Sequence, residues 1–226
     1  MNVAMTGSYD YRLVALSVLL AIFASYAALD LAGRVTAAQG RTRLFWLAGG
    51  ATAMGMGIWA MHYIGMLAFT MPVPVFYHLP TVLLSMLTAM AAAAVALFVV
   101  SRPGMKAIQG FLGSLLMGGG IAAMHYIGMA AMRLPAATEY NEGIVALSVV
   151  LAVAVSWVAL LLSFQAREDK RTTWRKMLSA LVMGSAISLM HYTGMWAATF
   201  QPSGRPLDLS HAVRISLSGN PGHHRH

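Results

Sequence analysis

The chain has 226 residues, 58% apolar and 10% charged, with 18 Met, 21 Gly, no Cys and a mean hydropathy of +0.67. A soluble domain carries about 25% charged residues, so too little polar surface is present to solvate a 24.1 kDa globule. That excludes a cytosolic enzyme, a disordered tail and a disulfide scaffold, and leaves an integral membrane protein. The missing Cys removes thiolate metal sites, CxxC redox pairs and a Cys nucleophile. The net charge of +8 must then be explained by where the cations lie.

Six stretches reach the roughly 20 residues that cross about 30 Å of hydrocarbon as helix. They are Tyr11–Leu31, Leu44–Met71, Leu79–Val100, Ala107–Met132, Gly143–Gln165 and Met177–Phe200. Continuous apolar runs of this length are helical, whereas barrel strands alternate. The first reads as an uncleaved helix rather than a signal peptide: Asp10 and Arg12 cancel before the apolar run, and positive charge follows it. Pro72, Pro74, Pro103 and Pro135 fall between the runs and Pro80 at the start of the third, where helices stop or start.

Orientation follows from Lys and Arg in the short loops. Arg34, Arg41 and Arg43 lie in the first loop, Arg102 and Lys106 in the third, and Arg167, Lys170, Arg171, Arg175 and Lys176 in the fifth. That is ten of the fifteen cations on one side. The second loop has none, and the fourth has Arg133 offset by Glu139 and Glu142. The odd loops therefore read as cytoplasmic, with the N-terminus, the even loops and the tail outside. The basic excess is a topology signal and points to no nucleic acid.

Residues 54–68 read MGMGIWAMHYIGMLA, 117–131 read MGGGIAAMHYIGMAA, and 183–197 read MGSAISLMHYTGMWA. Nine of fifteen positions agree in all three: M-G-x-x-I-x-x-M-H-Y-x-G-M-x-A. The preceding helices repeat too, with Leu16-Ser17, Leu84-Ser85 and Leu147-Ser148 each followed at one interval by Ala28-Leu29, Ala96-Leu97 and Ala159-Leu160. The unit is a helical hairpin, with repeats at about 11–71, 79–135 and 143–200. The predicted fold is an all-α integral membrane protein of six transmembrane helices, built as three hairpins in one orientation about an axis along the membrane normal.

The three segments MHYIGM, MHYIGM and MHYTGM resemble the MHYT domain family of bacterial membrane sensor modules, over residues from about 9 to 200. The resemblance implies a multi-pass sensory domain of the bacterial cytoplasmic (inner) membrane, one usually joined to diguanylate cyclase, phosphodiesterase or histidine kinase output. It also implies copper held through Met and His, and sensing of a diatomic gas (O2, CO, NO) or redox state. The sequence departs from the family after Phe200, where no output domain follows and the seventh helix often present is missing. Leu209–Leu217 could open a helix but stops short of a span. Residues 201–226 therefore read as an outer tail or a truncated seventh helix, with the output on a separate cytoplasmic partner or domain.

On a helix, residues four apart stack one turn above another. Met54, Ile58, His62 and Met66 form one stripe, as do Met117, Ile121, His125, Met129 and Met183, Ile187, His191, Met195. At 1.5 Å per residue, His62 and His125 lie about 27 Å from the inner ends of their helices and His191 about 21 Å. All three sit near the outer boundary and can share one volume. Imidazole with thioether, and no thiolate or carboxylate nearby, is a ligand set for Cu(I) or Cu(II) rather than Mg, Ca or Zn, for one or two ions. Met61, Met124 and Met190 are either outer ligands or contacts to the next helix. Tyr63, Tyr126 and Tyr192 are candidates to orient an imidazole, or interfacial anchors. Ser17, Ser85 and Ser148 should bond their own helix backbone, and Gly55, Gly65 and their equivalents should let helices approach. Asp30 can pair with Arg34 four residues on, while His223, His224 and His226 fall in a terminal tail that frays.

Four functions compete. A copper-dependent membrane sensor fits the stripes best. A copper carrier would need sites through the full depth, for which Met54, Met117 and Met183 make a start. A haem protein using facing His fits three-fold placement less well, and a scaffold would use the repeat only to pack. Catalysis is not expected: there is no Ser-His-Asp arrangement, no carboxylate pair in a span and no nucleotide loop.

Overall fold

A computed structural model of the chain describes residues 5–102, 104, 106–166, 173–203 and 207–215. Of the basic loop residues, Arg167, Lys170 and Arg171 lie outside the described residues, as do Pro103 and the tail histidines His223, His224 and His226.

Six helices form among the described residues: α1 (Tyr11–Ala37), α2 (Gly40–Ala68), α3 (Leu79–Val100), α4 (Ala107–Ala130), α5 (Glu142–Ala166) and α6 (Thr173–Trp196). Each packs on the next in sequence, and α6 returns to α1, so the six close into a ring of three hairpins. At the end where α1 meets α2 the ring is tight. Only Ala38 and Gln39 join α1 to α2, and Gly40 takes φ +54°, a left-handed conformation that glycine adopts without steric cost. Asp30 accepts from Arg34 Nε at 2.7 Å and faces Lys176 Nζ at 3.6 Å, tying α1 to α6. Arg43 donates to Ser101 Oγ at 2.9 Å, tying α2 to the end of α3.

The ring is turned inside out relative to a soluble bundle. Its interior is rich in Ala, Gly, Ser and Met, while Leu19, Phe23, Leu84, Leu87, Phe111 and Leu116 point outward and are exposed. Small interior residues are what membrane helices use to approach closely, because lipid offers no hydrophobic drive between helices. The first glycine of each motif sits at a seam between hairpins. A Cβ added to Gly55 would come within 2.5 Å of Met90 Cα, one on Gly118 within 2.6 Å of Val153 Cα, and one on Gly184 within 2.5 Å of Ile22 N. These three are close-approach positions against backbone.

α1 to α5 are long and apolar enough to cross a membrane; α6, though as long as α4, is less apolar. Its described length starts near Arg175 and Lys176 and carries Ser179, Ser185, Ser188 and His191.

The helix limits match the sequence reading at α3 and shift elsewhere. α1 runs on to Ala37 rather than Leu31, and α2 starts at Gly40 rather than Leu44. α6 starts at Thr173 rather than Met177, so His191 lies as far from its helix start as His125 does. At their C-terminal ends α2, α4 and α6 stop at Ala68, Ala130 and Trp196, two to four residues earlier than expected. The residues beyond them leave the helix to pair as strands, which the all-α reading did not contain. β1 (Ser8–Tyr9) pairs with β2 (Phe69–Thr70). β3 (Phe76–His78) pairs with β4 (Met132–Arg133) and with β7 (Ala212–Val213), and β5 (Ala136–Tyr140) pairs with β6 (Ala198–Pro202). All are antiparallel, and together they cap one end of the ring. The expectation that Leu209–Leu217 opens a helix is overturned through Ile215: it is a turn at His211 and then β7, because Leu79 N–H bonds His211 O at 3.0 Å and strand pairing takes the backbone.

Candidate metal centre

The three repeats place His62, His125 and His191 on α2, α4 and α6, five or six residues below the capped helix ends. That is about 8–9 Å at the rise of a helix. Each is 0–1% exposed, and the three imidazoles meet on the ring axis. Nδ1 of His62 lies 3.1 Å from Nδ1 of His191, and His125 Nδ1 is 3.2 Å from each. The ring planes stand nearly edge to face, with centroids 5.0–5.1 Å apart.

Three nitrogens in a triangle cannot satisfy one another by hydrogen bonding. A neutral imidazole nitrogen either carries a proton or offers a lone pair, never both, so a closed cycle of donors is impossible. Turning the proton to Nε2 leaves three converging lone pairs, and Nε2 of all three residues is buried without a hydrogen-bond partner. A cation resolves the frustration. Donors on a tetrahedral ion with bonds of about 2.0–2.1 Å are about 3.3 Å apart, close to the edges of this triangle. The donor set therefore fits a tri-imidazole metal ion.

The second motif glycine makes the triangle possible. A Cβ on Gly65 would collide with His191 Nε2, one on Gly128 with His62 Nε2, and one on Gly194 with His125 Nε2. Each glycine, one turn above its own histidine, leaves space for the ring of another repeat. The sequence reading treated these glycines as helix-packing positions; their neighbour is an imidazole.

Met54, Met117 and Met183 and the Ile58, Ile121 and Ile187 layer occupy the buried core beneath the histidines, with Met61, Met124 and Met190 in the same cluster. Met66, Met129 and Met195 are buried above them in a separate cluster under the cap, with Tyr77, Leu134 and Phe200. No methionine sulfur is among the hydrogen-bond partners of the imidazoles. The thioethers thus bracket the triangle from both sides, and the nitrogens alone form it.

The motif tyrosines lie differently from the orienting role considered above. Tyr126 and Tyr192 touch the edges of His125 and His191 at 4.8 Å between centroids, but their hydroxyls go to Ser148 Oγ (2.6 Å) and Ser17 Oγ (2.8 Å). Those serines already donate to Val145 O and Val14 O, as the sequence suggests, so the tyrosines donate to them. In the first repeat Trp59 Nε1 donates to Ser85 Oγ at 3.1 Å, and Tyr63 stacks on Trp59 instead. Each seam between hairpins is thereby pinned just beside the histidine layer.

A second set of tyrosines escaped the sequence reading. Tyr9, Tyr77 and Tyr140 stand on the cap strands against Tyr192, Tyr63 and Tyr126, with centroids 5.2–5.8 Å apart. Each precedes Ser17, Ser85 or Ser148 by eight residues, so extending the repeat register by that interval would have found them. Burial pushes the Tyr9 phenol up to about 12, helped by Tyr192, and raises those of Tyr77 and Tyr140 too. An unfolded Tyr ionises near about 10, so folding holds these groups neutral. The contribution of Tyr9 to cap stability is complete below about 10 and is lost as pH rises toward about 12, and those of Tyr77 and Tyr140 are likewise lost only above the ordinary phenol value. Tyrosinate absorbance should accordingly show a late-ionising class that appears together with loss of amide protection in β1, β3 and β5. One common transition near the ordinary phenol value would contradict this.

Compared with known proteins, residues 1–45, 55–110, 118–175 and 184–216 match the MHYT family, described as "Bacterial signalling protein N terminal repeat". The chain is 50% identical over 194 residues to the bifunctional diguanylate cyclase/cyclic di-GMP phosphodiesterase MucR of Pseudomonas aeruginosa, covering 85% of this chain and 28% of MucR. It is 40% identical over 206 residues to the cyclic di-GMP phosphodiesterase NbdA of the same organism, covering 89% of this chain and 26% of NbdA. To the signaling protein YkoW of Bacillus subtilis it is 37% identical over 202 residues, covering 88% and 25%. The chain thus spans about a quarter of the length of the curated relatives it matches. No solved structure matches it.

Proposed function

The chain belongs to the MHYT family of bacterial signalling-protein repeats, and on that premise we propose that it is a copper-dependent sensory module of the inner membrane, responding to O2, CO, NO or redox state. Residues 9–200 form the sensor domain, with α6 as a sixth span and the capped end and N-terminus outside. α6 loses hydropathy through residues that face inward, such as Ser188 and His191, while its outer face presents Met177, Leu178, Leu181, Val182 and Leu189. The cations of the odd loops gather at the other end, as an inner face requires.

The observation that carries the metal reading is the Nδ1 triangle of His62, His125 and His191. Three nitrogens leave a fourth position of a tetrahedral ion unfilled by protein. Buried thioethers on both sides, with no carboxylate among them, favour copper over zinc. One ion would be held by all three nitrogens, with Met66, Met129 and Met195 as candidate thioether ligands and Met61, Met124 and Met190 as secondary candidates. Copper supplies a Cu(I)/Cu(II) couple and an open position for a diatomic ligand. The protein holds the imidazoles through the glycine notches, excludes bulk water with the cap, and pins the seams through Tyr126, Tyr192 and Trp59. Any displacement of one histidine is then felt at a hairpin seam, which is a route to a cytoplasmic output.

The relatives named for cyclic di-GMP turnover supply the test. This chain would replace the matching region of MucR, and cyclic di-GMP would be followed under NO or changing O2. The proposal expects a response with the native triad and none with His125→Gln; equal responses would overturn it. A copper carrier is the second reading, favoured by the cavity that Met54, Met117 and Met183 line on the axis toward the inner end. Copper uptake into vesicles that depends on those methionines would select it.

A further inference from the structure

At the capped end, a cavity of about 410 Å³ opens between the start of α1, the end of α2 and the segment after β7. Its body is apolar, formed by residues such as Leu13, Leu67 and Phe69, and Arg12 and Arg214 line it from α1 and from the strand segment. Neither guanidinium has an ion pair among the described residues. Asp10, also at the cavity, accepts the Arg12 backbone N–H at 2.9 Å as the α1 cap and keeps its negative charge, so Arg12 and Arg214 leave the cavity one net positive charge. Tyr77 lines the same cavity while being only 3% exposed, and its hydroxyl has no hydrogen-bond partner among the described residues. The hydroxyl itself is not fully shut off, so it can donate into the cavity.

Two cations, an unspent donor and an apolar wall complement one chemistry. We propose that this cavity binds an anionic amphiphile, its phosphate or carboxylate head between Arg12 and Arg214, within reach of Tyr77, and the first carbons of its acyl chain on Leu13, Leu67 and Phe69. The volume lies in the usual range for small-molecule sites, roughly 300–1,000 Å³. The site stands at the outer headgroup level, a placement that rests on the topology proposed above. Its source is a bilayer phospholipid or a free fatty acid.

The test uses the full chain, without added copper, in nanodiscs of equal phosphatidylglycerol and phosphatidylcholine. The lipids that survive mild delipidation are counted by native mass spectrometry. Because copper is absent, failure of the histidine reading leaves this result intact. The expected result is one phosphatidylglycerol retained per chain, falling about fivefold in Arg12→Gln/Arg214→Gln and about twofold in Tyr77→Phe. Tyr77→Phe keeps the ring on Tyr63 and so keeps the fold. Palmitate that displaces the lipid assigns the site to either head group, and palmitate that does not assigns it to phospholipid. Equal retention of the two lipids, unchanged retention in the double variant, or displacement by inorganic phosphate alone would overturn the proposal.

Discussion

Gly128→Ala should weaken metal binding at least about tenfold while leaving the protein folded. The added methyl falls on His62 Nε2, and Gly128 sits in the regular helix α4, which cannot withdraw alone. The imidazole must therefore turn or retreat. Its other nitrogen is one corner of a triangle with 3.1–3.2 Å edges, and metal sites hold ligand distances to within about 0.2 Å. A shift of even half an ångström breaks the set, so copper affinity should fall at least about tenfold, on the scale seen when the supports of a ligand are lost. The stability cost is that of one overpacked methyl, about 1–3 kcal/mol. Gly65→Ala and Gly194→Ala should behave alike through His191 and His125. Competition with a Cu(I) chelator reads the effect, and unchanged affinity in all three variants would show that the notches do not hold the rings.

Gly184→Ala should act through backbone at a seam of the ring rather than through an imidazole. Its Cβ would meet Ile22 N and Cα, which belong to the backbone of α1 and cannot rotate away, at the seam that closes the ring between α6 and α1. A loss of about 1–3 kcal/mol is expected, or about 3–10 °C in the thermal midpoint for a chain of this size. Gly119→Ala is the matched control: nothing lies within 4 Å of the added methyl, so helix propensity alone should stabilise it by about 0.5–1 kcal/mol. Equal effects at the two positions would contradict the seam assignment.

The contrast between these glycines marks where the sequence stops being readable. A three-fold repeat of M-G-x-x-I-x-x-M-H-Y-x-G-M puts the three histidines at one level on three like helices, and from there their convergence follows. The limits of α3 and the backbone bonds of Ser17, Ser85 and Ser148 were equally local facts. Whether Gly65 faces a helix or an imidazole depends on which repeat stands beside it and how far it is rotated, and helix periodicity carries neither. Tyr126 and Tyr192 illustrate the same limit, since their hydroxyls cross to serines on the next hairpin. The cap strands were lost for another reason. Each is two to five residues long and pairs with a segment tens of residues away, so apolar residues such as Phe69, Met132 and Phe200 read as the continuation of their helices. The methionine stripe was legible as a stripe, but its division into a layer below the imidazoles and a layer under the cap required the packing itself.

The central claim is that His62, His125 and His191 hold one copper ion, and metal content tests it most directly. The protein would be purified in detergent without a metal-affinity tag, exposed to equal copper beside the His62→Ala/His125→Ala/His191→Ala variant, and both analysed for bound metal. The tail histidines are common to the two proteins, so the difference reports the triad. The account predicts one copper per chain in the native protein and none at this site in the variant. Equal copper in both, or none in either, would contradict it and return the three histidines to a packing role.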